Sequence, residues 1–194
     1  HKADLRNPLL VDKLMKGMDI VIQAAATTSG SKDIVSKPYI HVTDNAVINS
    51  YMFRSAHTHN VKHFIFPSCT VMYPSLEKIA KFYSMLSDTK FTIIRHSNIY
   101  GPHDKYDLDK SHVFGATITK VMESKNNLEV WGDGSEIRDF LHVEDLVNFI
   151  KKAISKQKTS YEIYNCGSGK PITIKKLCNL IVKISKKTYK NLPI

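Results

Sequence analysis

The stretch "KHFIFPS", residues 62–68, decides the fold because it is a short and continuously apolar run. A similar run precedes it in the sequence, "DIVIQ" at 19–23, and another follows it, "KFTIIRHS" at 90–97. Continuously apolar, β-branched strands are typical of a parallel sheet that is covered by helices on both faces. We therefore predict that these three runs are buried parallel strands.

Helical patterns separate the strands. Residues 42–60 and 76–86 both have apolar side chains at helical spacing. Alternating strands and helices predict an α/β fold with a doubly wound, Rossmann-like parallel sheet. Later in the chain we predict a helix capped by Ser111, a helix from about Val143 to Lys156, a strand at 161–167 and a helix at 173–187.

The composition narrows the class of protein. Of the 194 residues 42% are hydrophobic, which is enough for one sizeable core, and no apolar run approaches the ~20 residues of a membrane span. Cys69, Cys166 and Cys178 lack metal-ligand spacing, so we expect a reducing compartment and no metal. The net charge of +10 comes mostly from scattered lysines, which favours a solvated surface over a nucleic-acid site. We expect a soluble, cytoplasmic protein without a membrane or nucleic-acid partner.

Small and polar residues follow all three predicted strands. The first strand is followed by Ala24, Ala25 and Ala26, the second by residues 67–70 and the third by residues 95–102. In a doubly wound sheet, ligands bind outside the carboxyl ends of the strands. Because small or polar residues follow all three strands, we predict a ligand crevice at this edge of the sheet. Ordinary polar surface loops would give the same sequence pattern and are the alternative.

Longer motifs carry a family resemblance. The most specific are "NIYGPHDKYDLDKSHV" at 98–113 and "VWGDGSEIRDFLHVEDL" at 130–146, and three weaker ones are "ADLRN", "MDIVIQAAATTSGSKDI" and "YNCGSGKPITI". Together they resemble the extended short-chain dehydrogenases/reductases of the nucleotide-sugar epimerase/dehydratase group, and within it the GDP-fucose synthase type. The resemblance covers nearly the whole chain.

The resemblance implies a function. We expect an enzyme that uses NAD or NADP, with NADPH favoured, to epimerise and reduce a nucleoside-diphosphate 4-keto-6-deoxy sugar, and that forms a homodimer. A nucleotide-sugar 4-epimerase or dehydratase of the same family is an alternative, and a non-catalytic dinucleotide-binding relative is another. Residues 1–100 would form the nucleotide-cofactor-binding Rossmann part. Residues 101–194 would form mainly a small C-terminal substrate-binding lobe, from which 139–150 return to the main sheet.

The expected catalytic pair of this family, Tyr-x-x-x-Lys, is broken in this chain. Lys78 matches the lysine, but Pro74 stands four residues earlier, where the tyrosine is expected. In the family a loop of some two dozen residues, ending in that tyrosine, precedes the lysine helix. We therefore expect that a segment is missing between residues 75 and 76, and that the glycine-rich turn of the family lies before residue 1. The alternative is a truncated, inactive relative.

Other residues match the proton-transfer groups of the family. A hydroxyl at the end of the second strand would donate a hydrogen bond to the reacting oxygen, and the register leaves Ser68 and Cys69 open for that position. Cys69 or Thr70 would take the role of the proton-transferring thiol, although Cys69 could equally be a small buried residue. His112 matches the epimerisation acid, and a solvent-facing histidine at a helix start is the alternative.

The resemblance also assigns binding residues. Asp4 and Leu5 would contact adenine, and Lys78 would hold the cofactor ribose in addition to favouring the tyrosinate. The nicotinamide half would lie against Ala24, Ala25, Ala26, Pro67, Ser68, His96, Ser97 and Asn98. The nucleotide sugar would be bound by Asn98, His112, Lys120, Trp131 and Arg138, because cations and a planar guanidinium suit a diphosphate and an indole provides an apolar wall.

Overall fold

The computed structural model describes residues 3–27, 38–69, 74–108, 111–125 and 127–187. In chain order the elements are α1 (Pro8–Met15), β1 (Ile20–Ile22), α2 (Pro38–Thr58), β2 (His63–Cys69), α3 (Pro74–Ser84), β3 (Lys90–His96), β4 (Asn98–Tyr100), α4 (Val113–Glu123), β5 (Ile137–Arg138), β6 (Phe140–His142), α5 (Val143–Lys156), β7 (Tyr161–Cys166), β8 (Ile172–Thr173) and α6 (Ile174–Ser185). The described residues form two compact units. Residues before 97 and residues 145–166 belong to the first unit, and residues 97–144 and 167–187 belong to the second.

The first unit contains a four-stranded parallel sheet in the order β1-β2-β3-β7. Its register places Phe64 beside Phe91 and Ser68 beside Arg95. Residues that are paired across neighbouring strands have their side chains on the same face of the sheet. This arrangement confirms the predicted α/β fold with a parallel sheet.

Aromatic rings form the core on one face of this sheet. Phe53 of α2 is fully buried and meets Phe64, Phe66 and Phe91 at centroid distances of 5.3–6.1 Å, in edge-to-face geometry. Helices α1 and α3 contribute to the same core cluster. On the other face, Phe149 of α5 packs against Tyr164 of β7 with centroids 5.4 Å apart. Helices therefore cover both faces, as doubly wound sheets require.

The prediction that β1 is buried was wrong. Ile20 and Ile22 are 45% and 50% exposed, although the run is as apolar as those of β2 and β3. Within the described part of the chain β1 pairs only with β2, so it lies at an edge of the sheet. Ile20 and Ile22 share one face of β1, and apolar side chains of a strand are buried only where other elements cover the face on which they lie.

The second unit has two small sheets of its own. Strand β4 pairs with β6 in parallel, and β5 pairs with β8 in an antiparallel manner. Helices α4 and α6 enclose a small core of Val121, Leu128, Ile174 and Cys178. Residues 140–142 therefore do not rejoin the main sheet as predicted for 139–150, because they pair with β4, and the first unit resumes only at Asp145.

The starts of α1 and α4 differ in how they are capped. The Asn7 side chain accepts hydrogen bonds from the backbone N–H groups of Leu9 and Leu10 at the start of α1. Helix α4, predicted to be capped by Ser111, is instead preceded by His112 as its N-cap. The Ser111 hydroxyl is engaged elsewhere, because it donates to the carbonyl of Lys105. No helix in the described ranges is both long and apolar enough to cross a membrane.

Candidate functional site

A cavity of about 380 Å³ lies next to the end of β1 in the first unit. Its lining includes Asp4 and Leu5 from the chain before α1 and Ala25 and Ala26 from the chain after β1. The structure thus brings together the residues predicted to contact adenine and two of the three alanines predicted for the nicotinamide half. Ala24 lies next to this lining in the chain, and small side chains here leave room for a ligand.

Arg6 and Asp44 are, besides Asp4, the charged residues in the lining of this cavity. The Arg6 guanidinium donates to Asp4 at 2.9–3.3 Å and to the Asp44 carboxylate at 3.2 Å. These hydrogen bonds lower the pKa of Asp4 to about 2, and the same partners raise the pKa of Arg6. The Asp4 carboxylate of the pocket is therefore ionised throughout the neutral range. Sequence reasoning overlooked both residues, although Arg6 stands inside "ADLRN".

Amide side chains hold the alanine segment in place behind the cavity. Buried Gln23 donates to Asn49 at 3.1 Å and to the carbonyl of Ala25 at 2.9 Å. Asn45 accepts from the backbone N–H of Thr27 at 2.8 Å and donates to its carbonyl at 3.1 Å. These contacts join the chain after β1 to helix α2. Sequence reasoning did not identify them.

The carboxyl ends of β2 and β3 lie side by side. The pairing places Ser68 beside Arg95 and Cys69 beside His96. Ser68 is buried, at 1% exposed, on the face that carries the phenylalanine core. Pro67, in the preceding pair, lies beside Ile94. The Cys69 side chain and all of Thr70 lie outside the described residues, so the predicted proton-transfer roles of these two residues stay predictions.

Lys78 lies one turn into α3 and is exposed. Ser75 and Leu76 are consecutive residues of that same helix. Pro74 begins the helix one turn before Lys78, at the position from which a tyrosine would present its hydroxyl on the same helical face. Glu77, by contrast, is buried and forms an ion pair with Arg95. The sequence predicted the lysine helix but not this neighbouring charge pair.

The second unit contains the residues predicted to bind the nucleotide sugar. The Lys120 ammonium lies over the Trp131 ring at 5.1 Å from its centroid, and Trp131 is 70% exposed. His112 and Arg138 are also exposed, and Arg138 donates to the adjacent carbonyl of Ile137 at 3.0 Å. Lys120 and Trp131 are therefore brought into direct contact.

Asp139 joins three parts of the second unit, and sequence reasoning missed this. Its carbonyl accepts from the backbone N–H of Asn98 at 3.1 Å and from the Asn98 side chain at 3.2 Å. Its carboxylate accepts from the backbone N–H groups of Ser168 and Gly169, both at 3.1 Å. Partial burial acts to raise the pKa of Asp139, but the hydrogen bonds outweigh it and the pKa is lowered. Asp139 thus fixes Asn98 and the "GSG" loop to the strand segment of Arg138.

Comparison with known proteins places the chain in a family. The model of the NAD dependent epimerase/dehydratase family matches residues 1–85 and, as a second segment, 75–167. A protein named GDP-L-fucose synthase 1 from Arabidopsis thaliana is 28% identical over 197 residues, which cover 84% of this chain and 61% of that protein. The chain therefore spans about three fifths of the length of this relative.

Solved structures share the fold. A UDP-glucose 4-epimerase from Thermotoga maritima, solved with UDP-glucose, has a TM-score of 0.84 at 19% identity over all of this chain and 70% of its own. A structure described as MoeE5 in complex with UDP-glucose and NAD has a TM-score of 0.84 at 16% identity, over all of this chain and 72% of its own. At these identities the two structures support the fold.

The alignment with the Arabidopsis relative contains positions that this chain lacks. It is 197 residues long, whereas 84% of this 194-residue chain is about 163 residues. About 34 aligned positions therefore have no residue in this chain. The two segments of the family match overlap at residues 75–85, so the family model is matched in two pieces around the predicted break between residues 75 and 76.

Proposed function

Because the chain belongs to the NAD dependent epimerase/dehydratase family, we propose that the protein is an NAD(P)-dependent enzyme that acts on a nucleoside-diphosphate sugar. The observation that carries the proposal is the cavity beside β1. It lies between the "ADLRN" segment and the alanines after the strand, and the Gln23 and Asn45 contacts join the chain after β1 to helix α2. A dinucleotide binds at this edge of a doubly wound sheet.

The residues around this cavity fit the adenosine end of a dinucleotide. The Asp4 carboxylate would accept hydrogen bonds from the amino group of adenine, and Leu5 and the alanines would provide apolar contact. The bound dinucleotide supplies or accepts a hydride. The residues of this chain would hold the reacting groups in position. Exposed Lys78 would donate to the ribose, and its positive charge would favour the ionised form of a neighbouring tyrosine.

The finer proposal is epimerisation and reduction of a 4-keto-6-deoxy sugar with NADPH. It is supported by the relatives named GDP-L-fucose synthase and by the match of His112 to the acid of that reaction. His112 would protonate the sugar carbon from one side, while Cys69 or Thr70 would remove a proton from the other. Lys120, Trp131 and Arg138 would hold the nucleotide diphosphate.

This mechanism needs a tyrosine four residues before Lys78, where the sequence has Pro74. We propose that it belongs to a segment between Ser75 and Leu76, which is compatible with the about 34 aligned positions that have no residue in this chain and with the two-piece family match. Peptide mapping of the natural protein tests the point. The proposal expects no peptide that joins Ser75 directly to Leu76, and expects a tyrosine four residues before Lys78. A peptide with the direct junction would favour the non-catalytic dinucleotide-binding alternative, because Pro74 would then be native.

The activity test uses the natural full-length protein with NADPH and GDP-4-keto-6-deoxymannose, and follows absorbance of NADPH. We expect oxidation that depends on the sugar, and loss of at least about 100-fold in kcat for Lys78→Met. Lys81→Met is the matched control on the same helix and should retain activity. Interconversion of UDP-glucose and UDP-galactose with NAD, without net NADPH oxidation, would instead support the 4-epimerase alternative.

We also propose that the protein forms a homodimer through the helices of the first unit. Three large apolar side chains in and just after the last turn of α3 are strongly exposed, with Phe82 at 56%, Met85 at 76% and Leu86 at 54%. Apolar side chains that are exposed this close together in the sequence are candidates for an oligomer interface. Light scattering of the purified protein should give twice the monomer mass, and Met85→Lys should give the monomer.

A further inference from the structure

A buried carboxylate lies immediately before Lys78 in helix α3. Glu77 is only 6% exposed, and its two oxygens accept from Arg95 of β3, from Nε at 2.8 Å and from Nη2 at 2.5 Å. This two-point geometry fixes both side chains in orientation as well as in distance. The Glu77 carboxylate also raises the pKa of Arg95, so the guanidinium stays charged.

A third element contacts the same residue. The Tyr161 hydroxyl of β7 donates to the backbone carbonyl of Glu77 at 3.0 Å. Burial, and then the charge of Glu77, raise the pKa of Tyr161 to about 12, so the phenol keeps its proton and remains a donor. Strands β3 and β7 therefore both hold the helix at the residue that precedes Lys78.

Other charges near this turn are few in the described structure. On α3 itself the nearest is Lys81, one turn beyond Lys78. Helix α2 contributes His57, whose ring meets Tyr83 near the far end of α3 at 5.6 Å. On β3 the next titratable side chain is His96, which alternates to the opposite face from Arg95. The ion pair at the start of α3 is thus the one between Glu77 of the helix and Arg95 of β3.

We propose that Glu77 and Arg95 are positioning residues for Lys78, which anchor the first turn of α3 on β3 and cancel each other's charge beside the lysine. The inference rests on the proposed role of Lys78 in cofactor binding. It goes beyond that role because it states which residues fix the position of the lysine and set the electrostatic field around it. Arg95 also lies beside Ser68 in the strand register, so the same pair links the lysine helix to the strand end of the proposed site.

The proposal predicts opposite effects from the two halves of the pair. In Glu77→Gln the guanidinium loses its counter-charge and disfavours the protonated amine of Lys78, so trace acetylation of Lys78 at pH 8 should rise at least about threefold. In Arg95→Gln the carboxylate is left uncompensated and favours the protonated amine, so acetylation should fall at least about threefold. Rates are measured by mass spectrometry relative to exposed Lys151 of α5. Arg95→Lys keeps the charge and should restore most of the unsubstituted rate.

A matched control is available in the exposed Asp19–Lys62 ion pair, with its charged atoms 2.9 Å apart. Asp19→Asn should leave Lys78 acetylation unchanged. Circular dichroism and a cooperative melt establish which variants fold, and Arg95→Lys keeps the test open if either glutamine variant does not. Folded variants whose Lys78 rates stay within about twofold, or both move in one direction as simple loosening would cause, overturn the proposal.

The cofactor part is measured separately by NADPH fluorescence. We expect the Kd of NADPH to rise at least about fivefold in Arg95→Gln and to recover in Arg95→Lys. If the unsubstituted protein binds no NADPH, the proposed function fails while the acetylation result still decides the role of the pair. If NADPH binds equally well to folded Arg95→Gln, the positioning proposal fails while the proposed function stands.

Discussion

The ammonium of Lys120 lies 5.1 Å from the centre of the Trp131 ring, and most of the indole is exposed. A cation held over an indole face at the surface leaves the other face of the ring free for a planar or apolar ligand group. The pair stands in the second unit, on helix α4 and in the turn before β5, and both residues were predicted to bind the nucleotide.

Removing the indole should therefore weaken nucleotide binding. We expect Trp131→Ala to raise the Kd of GDP, used as the probe, by about fivefold, because an exposed cation–π arrangement and its stacking surface contribute on the order of 1 kcal/mol. Isothermal titration measures this. Met122→Ala, an exposed substitution on the same helix α4, is the control and should leave the Kd unchanged. An unchanged Kd in Trp131→Ala would show that the indole does not contact the nucleotide.

The ring cluster around Phe53 should dominate the stability of the first unit. Phe53 is fully buried and touches three other phenylalanine rings. Phe53→Ala should lower the free energy of unfolding by about 3–5 kcal/mol, from lost burial and the cavity that remains. Urea denaturation followed by circular dichroism gives the value. Leu9→Ala, at a position 77% exposed, should change it by less than about 0.5 kcal/mol.

The Asp4–Arg6 contact should be visible as an acid titration. The Asp4 carboxylate should titrate with a pKa of about 2 in the native protein, because Arg6 donates to it, and Arg6→Gln should return the pKa towards 3.8. A lowered native pKa stabilises the fold above the unfolded value, and that contribution is lost as the pH falls from about 4 towards 2. NMR of the side-chain carboxyl carbon measures the midpoint directly. A native midpoint near 3.8 would mean that the contact is absent in solution.

The "GSG" loop should depend on the Asp139 carboxylate. Asp139→Ala removes the acceptor for the N–H groups of Ser168 and Gly169, so both amides should exchange with deuterium at least about tenfold faster. Gly167→Ala provides an independent route to the same result. A Cβ at that position would lie 2.5 Å from an Asp139 oxygen and would force the carboxylate away. Protection that survives both substitutions would show that other contacts hold the loop.

The strands and helices could be predicted from the sequence because their signal is local. The apolar runs at 62–68 and 90–97 became β2 and β3, and the helix predicted from about Val143 to Lys156 has those bounds in the structure. Side-chain periodicity and β-branching act within one element, so they can be observed without knowing its neighbours. The "ADLRN" and "GPHDKYDLDKSHV" segments likewise supplied predicted site residues, although the sequence does not show where these lie in space.

What the tertiary structure decided depends on residues far apart in sequence. Glu77 meets Arg95, Arg6 meets Asp44 and Asp139 meets Ser168 across 18, 38 and 29 residues. None of these pairs could be predicted from the periodicity of the sequence, because each contact forms only when separate elements pack together. The exposure of β1 is of the same kind, since a strand's burial depends on its neighbours as much as on its own residues. The sequence by itself determined the elements and the family. The tertiary structure decided which charges meet, because a contact between distant residues exists only after the chain has folded.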